Sequence, residues 1–367
     1  MKRTKFRFIW FTAVLAALAA IMFYARKDST SILQKNSYKE WQQHFVVAGQ
    51  DYAYVKTSTD KDKDIVLSEA QGYGMLIAVD AAEKGQAQQT DFEKLYRYYL
   101  SHREGETQLM SWRQTVIENQ VSTEANNATD GDLYIAYSLI KAAKQWPKKS
   151  DEYLQQAQAI LQDILTYNYN SEQKILTVGN WAAADSKFHN LVRTSDILPA
   201  QFQAFYDLTG NQDWLTIKDS MLSKLETVSR QYETGLIPDF IWVDGDSVSP
   251  AAPNDISTEN DGDYSYNACR LPYNLAQSKD DKSQKIVTKM LDFFMEEDSI
   301  KAGYSLEGQP LNQYQASSFS APVFYAANKN NDYRKLVQQN KYIFMTELSS
   351  ENYYEAALVT LVALESL

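Results

Sequence analysis

Residues 128–146 read ATDGDLYIAYSLIKAAKQW, and the reading of this stretch decides the fold class. Leu133, Ala136, Ile140 and Ala143 recur at i, i+3, i+7 and i+10, one face of an α-helix. Thr129 or Asp130 is suited to cap the first turn, and Asp130 and Asp132 set two carboxylates where the helix dipole is positive. The same spacing returns over 38–47, 73–83, 91–101, 151–165, 198–208, 213–228, 283–296, 318–328 and 353–366. Strand-like alternation is sparse, its best instance being Phe240–Val243. Helices in such succession, joined by loops rich in acids and aromatics, predict an all-α toroid. Inner helices then surround the floor of a cleft, and loops at one end carry the chemistry. No Pro/Gly-rich linker or low-complexity break interrupts residues 37–367, so they read as one domain.

Outward from that body the character of the chain changes. Residues 1–27 carry Lys2, Arg3, Lys5, Arg7, Arg26 and Lys27 and no acid. Between them Phe8–Ala25 is an apolar run just long enough to cross a bilayer. Basic residues ahead of it predict a cytoplasmic N-terminus and a body outside the cytoplasmic membrane. A cleaved signal peptide competes with this reading, with Ala17, Ala19 and Ala20 near a cleavage site. The run continues past them through Ile21-Met22-Phe23-Tyr24, which favours an uncleaved transmembrane anchor. Residues 28–36, polar and Ser-rich, read as a short tether.

The formal net charge is −11, and the basic N-terminal segment makes the remaining body more acidic still. An acidic body repels polyanions, which argues against a nucleic-acid partner. There are 25 Tyr, 15 Phe and 7 Trp against 3 His. That balance suits a carbohydrate cleft, where sugar C–H faces stack on aromatic planes; filling a large helical core accounts for it equally well. Cys269 is the lone cysteine, so an intramolecular disulfide and Cys-pair zinc sites are excluded. His44, His102 and His189 show no metal-ligand spacing, and no cofactor is expected.

A second segment, VLSEAQGYGMLIAV at 66–79, places Ser68 as an N-cap and Glu69 in the first turn of a helix. Gly72 and Gly74 each cost about 1 kcal/mol there relative to Ala, so a close approach by a ligand or a neighbouring helix is expected. Taken singly, Glu69 is an ordinary dipole-favoured acid and the Asp130/Asp132 pair ordinary helix-start residues. Taken together, the two segments resemble glycoside hydrolase family 8, which includes endoglucanases, lichenases, chitosanases and certain xylanases. The resemblance lies in Ser68-Glu69, Gln71-Gly72-Tyr73-Gly74-Met75 and Ala128-Thr129-Asp130-Gly131-Asp132 with Ile135-Ala136. It continues in Leu109-Met110-Ser111-Trp112-Arg113, Arg193-Thr194-Ser195-Asp196, Gly235 to Phe240, and Tyr353-Tyr354-Glu355.

The resemblance implies an (α/α)6 barrel and an inverting glycosidase that cleaves a β-linked polysaccharide and is expected to be endo-acting. It implies Glu69 as the proton donor, with Asp130 holding the sugar and tuning charge. Tyr73, Trp112, Arg113, Trp181, Arg193, Asp196, Tyr266, Asn267 and Arg270 are the implied sugar-binding residues. Trp112 and Trp181 in particular are expected to line the cleft, with burial in the core as the competing reading. The chain departs from pattern at the base. Many members carry Asp where this one reads Tyr266-Asn267-Ala268-Cys269-Arg270, and an amide cannot take a proton from water. The departure resembles a chitosanase-type subgroup in which the preceding loop supplies the carboxylate. Here that loop is PAAPNDISTENDGDYSYN, with Glu259 the first choice and Asp255, Asp261 and Asp263 its rivals. Chitosan, β-glucan and the host's own exopolysaccharide are the candidate substrates. The alternative is a non-catalytic polysaccharide-binding protein that has lost its base.

Overall fold

The computed structural model describes residues 14–15, 29–118 and 120–367. The basic flank and apolar run expected to form an anchor lie outside these residues, apart from Val14 and Leu15. Among the described residues no helix is long and apolar enough to cross a membrane.

The helices are α1 (residues 29–45), α2 (Ser68–Glu83), α3 (Gln89–Ser101), α4 (Thr129–Gln145), α5 (Ser150–Tyr167) and α6 (Pro199–Thr209). They continue with α7 (Asp213–Gln231), α8 (Leu271–Ala276), α9 (Asp281–Glu296), α10 (Ser317–Asn328), α11 (Arg334–Asn340) and α12 (Tyr353–Ser366). The even-numbered helices pack each against the next, and α12 returns to α2, closing a ring. Outside it α3 lies on α2, α5 on α4, α7 on α6, α9 on α8 and α11 on α10. The sixth outer place belongs to α1. Gln34 Nε2 donates to the carbonyls of Ala363 and Leu364, 3.2 Å each, at the end of α12. Leu348 N–H donates to Glu40 at 2.9 Å. Six such pairs make an (α/α)6 barrel. Residues 29–36, expected as a tether, instead form about the first two turns of a docked helix.

Sequence pattern explains the two layers. Nearly every residue of α2 and α10 is buried, and so is all of α12 from Ala356 to Leu364, as befits helices that are apolar all round. An outer helix such as α5 buries one stripe, Tyr153, Ala157, Ile160, Leu161 and Ile164. The tightest inner contact is α2 on α4. A Cβ at Gly72 would lie 2.8 Å from Tyr134 Cβ, and one at Gly131 would lie 2.3 Å from Ser68 Oγ. The predicted close approach is therefore helix on helix at Gly72, whereas Gly74 faces the side chain of Val55 in the strand Ala53–Val55. Tyr73 and Tyr134 pack with tilted rings beside the helix contact, centroids 4.6 Å apart.

Two ribbons, β1 (Val46–Ala48) with β2 (Ala53–Val55) and β6 (Tyr169–Asn170) with β7 (Ile175–Leu176), trim the rim. Two antiparallel three-stranded sheets matter more. One is β3 (Asp64–Leu67), β4 (Ser111–Ile117) and β5 (Gln120–Asn127); the other is β8 (Leu191–Arg193), β9 (Phe240–Asp244) and β10 (Ser247–Pro250). β3 runs directly into α2 and β5 almost directly into α4, so the sheets deliver the starts of inner helices. The strand expected at Phe240–Val243 is the centre of its sheet. The β4–β5 hairpin escapes sequence reading because QVSTEANN is polar and mostly exposed, which leaves no apolar alternation.

Candidate active site

Residues at or just before the starts of α2, α4, α8 and α12 meet at one end of the ring. Glu69, the second residue of α2, presents a side chain 16% exposed. Tyr353, the first residue of α12, donates its hydroxyl to Glu69 Oε1. Arg270 Nη1, from the turn leading into α8, donates to Glu69 Oε2 at 2.9 Å and lies 3.6 Å from Asp130 Oδ2. Asp130 Oδ2 also accepts from Arg193 Nη1. One guanidinium nitrogen thus lies between two carboxylates, and a second guanidinium secures the deeper one.

The electrostatics separate the two acids. Burial raises the Glu69 carboxyl; Arg270 pulls it down and the Asp130 charge pushes it up, and the balance is a raised pKa. Burial alone would raise Asp130 too, but Arg193 and Arg270 hold it below the ordinary aspartate range. Glu69 is thereby the better placed of the two to hold a proton, and Asp130 the better placed to stay ionised. The proton's place follows from the partners. Arg270 has no lone pair to accept a hydrogen bond, so a proton on Glu69 faces either the Tyr353 hydroxyl, which can turn from donor to acceptor, or the neighbouring Asp130 carboxylate.

The expected caps are not what starts these helices. Ser68 lies inside α2, its Oγ packed against Gly131, and Leu67 occupies the cap position. Thr129 Oγ1 donates to the Thr177 carbonyl, and Asp130 Oδ1 accepts its neighbour's Gly131 N–H. Asp132 is a hub beneath the site. It accepts from Met110 N–H at 2.7 Å and from Asn127 Nδ2 at 2.8 Å, while Asn127 exchanges bonds with Asn180. These bonds tie the segments carrying Trp112 and Trp181 to the start of α4.

The remaining expected residues fall into two groups. Tyr73, Arg193, Asp196, Asn267 and Arg270 belong to the neighbourhood of Glu69. Tyr73 is wholly buried under Arg270, which reaches its hydroxyl at 3.3 Å. Asp196, also buried, faces Arg193 Nε at 3.8 Å. Arg270 is 1% exposed, with its donors taken by Glu69, Tyr73, Ser195 and Asn267. Its place is behind the acid, not on an open binding surface. Trp112, Arg113, Trp181 and Tyr266 stand apart from this hydrogen-bonded group. Trp112 is half-buried, with the Arg113 guanidinium over its ring, and Arg113 pairs with Glu124 across the hairpin at 3.1 Å. Trp181 is 41% exposed and packs edge-on against Phe188, so it is not a core residue. Tyr266 is exposed and shares a hydrogen bond with Tyr314.

The loop before Asn267 is built around Asp261. That buried carboxylate accepts from the N–H groups of Ile256, Ser257 and Thr258 and from the Ser257 hydroxyl. Asp255 Oδ2 is taken by Trp242 Nε1 and Ala252 N–H. Glu259 is exposed, and its carboxylate makes no hydrogen bond among the described residues. Sequence reading missed Tyr353, Ser195 and Asp239 as site residues. Each stands in a quoted family segment, so the signal was present; what was missing was the knowledge that they contact one another.

The family model of Glycosyl hydrolases family 8 matches residues 11–366. A beta-glucanase of Niallia circulans is 32% identical over 342 residues, covering 88% of this chain and 81% of that one. An endoglucanase of Bacillus sp. strain KSM-330 is 26% identical over 329 residues, 84% of this chain and 70% of its own length. Among solved structures, the apo beta-1,3-1,4-glucanase from Paenibacillus sp. X4 superposes with a TM-score of 0.83 at 28% identity, over 92% of this chain and 91% of that one. An endo-1,4-D-glucanase from Vibrio fischeri ES114, at 19% identity and a TM-score of 0.70, shares the fold over 89% of this chain and 92% of its own.

Proposed function

The chain belongs to glycosyl hydrolase family 8, a family of inverting glycosidases, and on that premise we propose that it is an endo-acting β-glucanase with Glu69 as its general acid. The observation that carries the reading is the Glu69 carboxyl itself: accessible, raised in pKa, and bracketed by Tyr353 and Arg270. A carboxyl whose pKa is pushed upward, at the end of the barrel where loops open, is what protonation of a glycosidic oxygen calls for. The endo-acting character and the β-glucan substrate are inferred from the names of the relatives. Chitosan is the competing substrate, favoured by Asn267 and by the acidic body.

Inversion needs a second, ionised carboxylate roughly 6.5–9.5 Å from the acid, with room for water between them. Asp130 is unsuited, being buried and bound to two guanidinium groups. Asn267 is an amide. Asp261 is consumed by its own loop and Asp255 has given one oxygen to Trp242 and Ala252. Glu259 is left with a free, exposed carboxylate, and Asp263 is its nearest rival. We assign the base to Glu259. We also propose, from the basic and apolar residues of 1–27, that the body works outside the cytoplasmic membrane and is anchored to it.

Glu69→Gln should lower hydrolysis of mixed-linkage β-glucan by roughly 10²–10⁴-fold while leaving the fold intact. Glu259→Ala should abolish turnover, with partial rescue by azide entering the vacated space. Near-normal turnover by a folded Glu69→Gln protein would defeat the acid assignment. Full activity in Glu259→Ala with a dead Asp263→Ala would move the base to Asp263. Assays on chitosan and xylan beside β-glucan decide the substrate, and anomeric NMR of the first product reads the inversion.

A further inference from the structure

A carboxylate with no access to a sugar lies beneath the Asn267 turn. Asp239, just ahead of β9, is 5% exposed. Its Oδ1 accepts three backbone N–H groups, from Ser265 at 3.1 Å, Asn267 at 3.0 Å and Ala268 at 2.7 Å. Its Oδ2 accepts from Asn267 Nδ2 at 3.2 Å. The other end of that amide, Asn267 Oδ1, accepts from Arg270 Nη2 at 3.1 Å. Arg270 in turn holds Glu69. An unbroken series of hydrogen bonds therefore runs Asp239, Asn267, Arg270, Glu69, and it fixes the Asn267 amide with nitrogen toward Asp239 and oxygen toward Arg270.

We propose that Asp239 is a positioning residue of the reaction: through the Asn267 amide it sets the Arg270 guanidinium against Glu69 and so governs how firmly the acid keeps its proton. The proposal rests on Glu69 being the acid. It also gives Asn267 a role other than that of a vanished base. A carboxylate at 267 would face Asp239 Oδ2 where a hydrogen bond now stands, and two carboxylates that close cannot both ionise. While Asp239 is ionised, position 267 must donate, and an amide does so at every pH.

The groups facing Glu69 are Arg270, Tyr353, Asp130 and Arg193 from the neighbouring elements, Tyr73 from its own helix, and Tyr134, Tyr354, Asp196 and Cys269 beyond them. Those facing Asp239 are Asn267, Tyr264 and Cys269. Arg270 pulls the Glu69 pKa down, so loosening it raises that pKa and moves the alkaline limb of the kcat profile to higher pH. Losing the Asp239 charge by direct electrostatics alone would act in the opposite sense. The direction of the limb therefore separates positioning from simple charge removal.

The test compares Asp239→Asn, Asn267→Asp and the double exchange in the full chain, on soluble β-glucan from pH 4 to 10. In Asp239→Asn two amide nitrogens confront each other, so the Asn267 amide turns and Arg270 slackens. The expected result is a kcat roughly tenfold lower, with the alkaline limb moved up by about half a unit or more. In the double exchange the amide introduced at position 239 donates to the carboxylate introduced at 267, which still accepts from Arg270, and the limb should return toward the parent. An unmoved or lowered limb in Asp239→Asn, or a double exchange that does not restore it, overturns the proposal. If Asp239→Asn does not fold, the position of the limb in the double exchange decides alone. Glu69→Gln in the same assay keeps the two readings apart. If that variant is inactive and the limbs do not move, only the positioning role fails; if it is active, the acid assignment fails first.

Discussion

At the scale of single residues, the hydroxyl of Tyr353 and the guanidinium of Arg270 divide the Glu69 carboxylate between them, one oxygen each. Both donors favour the ionised acid, and burial outweighs them. Tyr353→Phe removes one donor and one of the two partners, with the Asp130 carboxylate, that can accept the proton. We expect the Glu69 pKa to rise, the alkaline limb of kcat to move upward, and kcat to fall by about tenfold, the loss of roughly one charge-assisted hydrogen bond. A pH-rate profile of the folded variant checks this; an unchanged limb would show that the hydroxyl does not bear on the proton. Glu69 and Asp130 were legible in the sequence because a resemblance singled them out. Tyr353 and Asp239 were not, because their roles arise only from contacts: Tyr353 lies 284 positions from Glu69 in the chain, and nothing in local spacing joins them.

At the scale of elements, the site depends on how closely α2 and α4 approach. Gly131 is the narrowest point, with Ser68 Oγ where a side chain would begin. Gly131→Ala must push the two helix starts apart, and Ser68 adjoins Glu69. The cost should be about 1–3 kcal/mol of stability, as in other overpacked cores. Activity should fall further than stability explains, since a small displacement of an acid is costly to catalysis. Calorimetry and kcat measured on one preparation check both parts, and activity that tracks only the folded fraction would count against it. The long helices were readable because their apolar stripes repeat over several turns. α8 and α11 span only 6 and 7 residues, too short for a period to declare itself. The β4–β5 hairpin was hidden by its polarity, and with it the support beneath Trp112.

At the scale of the whole molecule, burial has left several carboxyls reluctant to ionise. It raises Asp132 to about 8 and Asp196 and Asp239 each to about 7, against 3.8 for an ordinary aspartate. Each binds its proton more tightly folded than unfolded. Its stabilisation is therefore complete below the unfolded value and fades as pH rises toward the folded one. Asp130, shifted the other way, opposes this only below the ordinary aspartate range. Thermal stability should accordingly be higher at pH 5.5 than at pH 8, with Asp132→Asn flattening the difference. A melting temperature that climbs with pH across that interval would contradict the accounting.

The docking of α1 on α12 fixes something beyond stability. α12 begins at the acid, with Tyr353, and its far end receives Gln34 from the opening turns of α1. The polypeptide therefore enters the barrel from the face opposite the cleft. If residues 1–27 hold the enzyme to a bilayer, they hold it by its back, and its mouth is turned outward. Its cleft would then face away from the lipid surface. Held in that way, it would meet strands that extend away from the cell, along their length rather than at their roots.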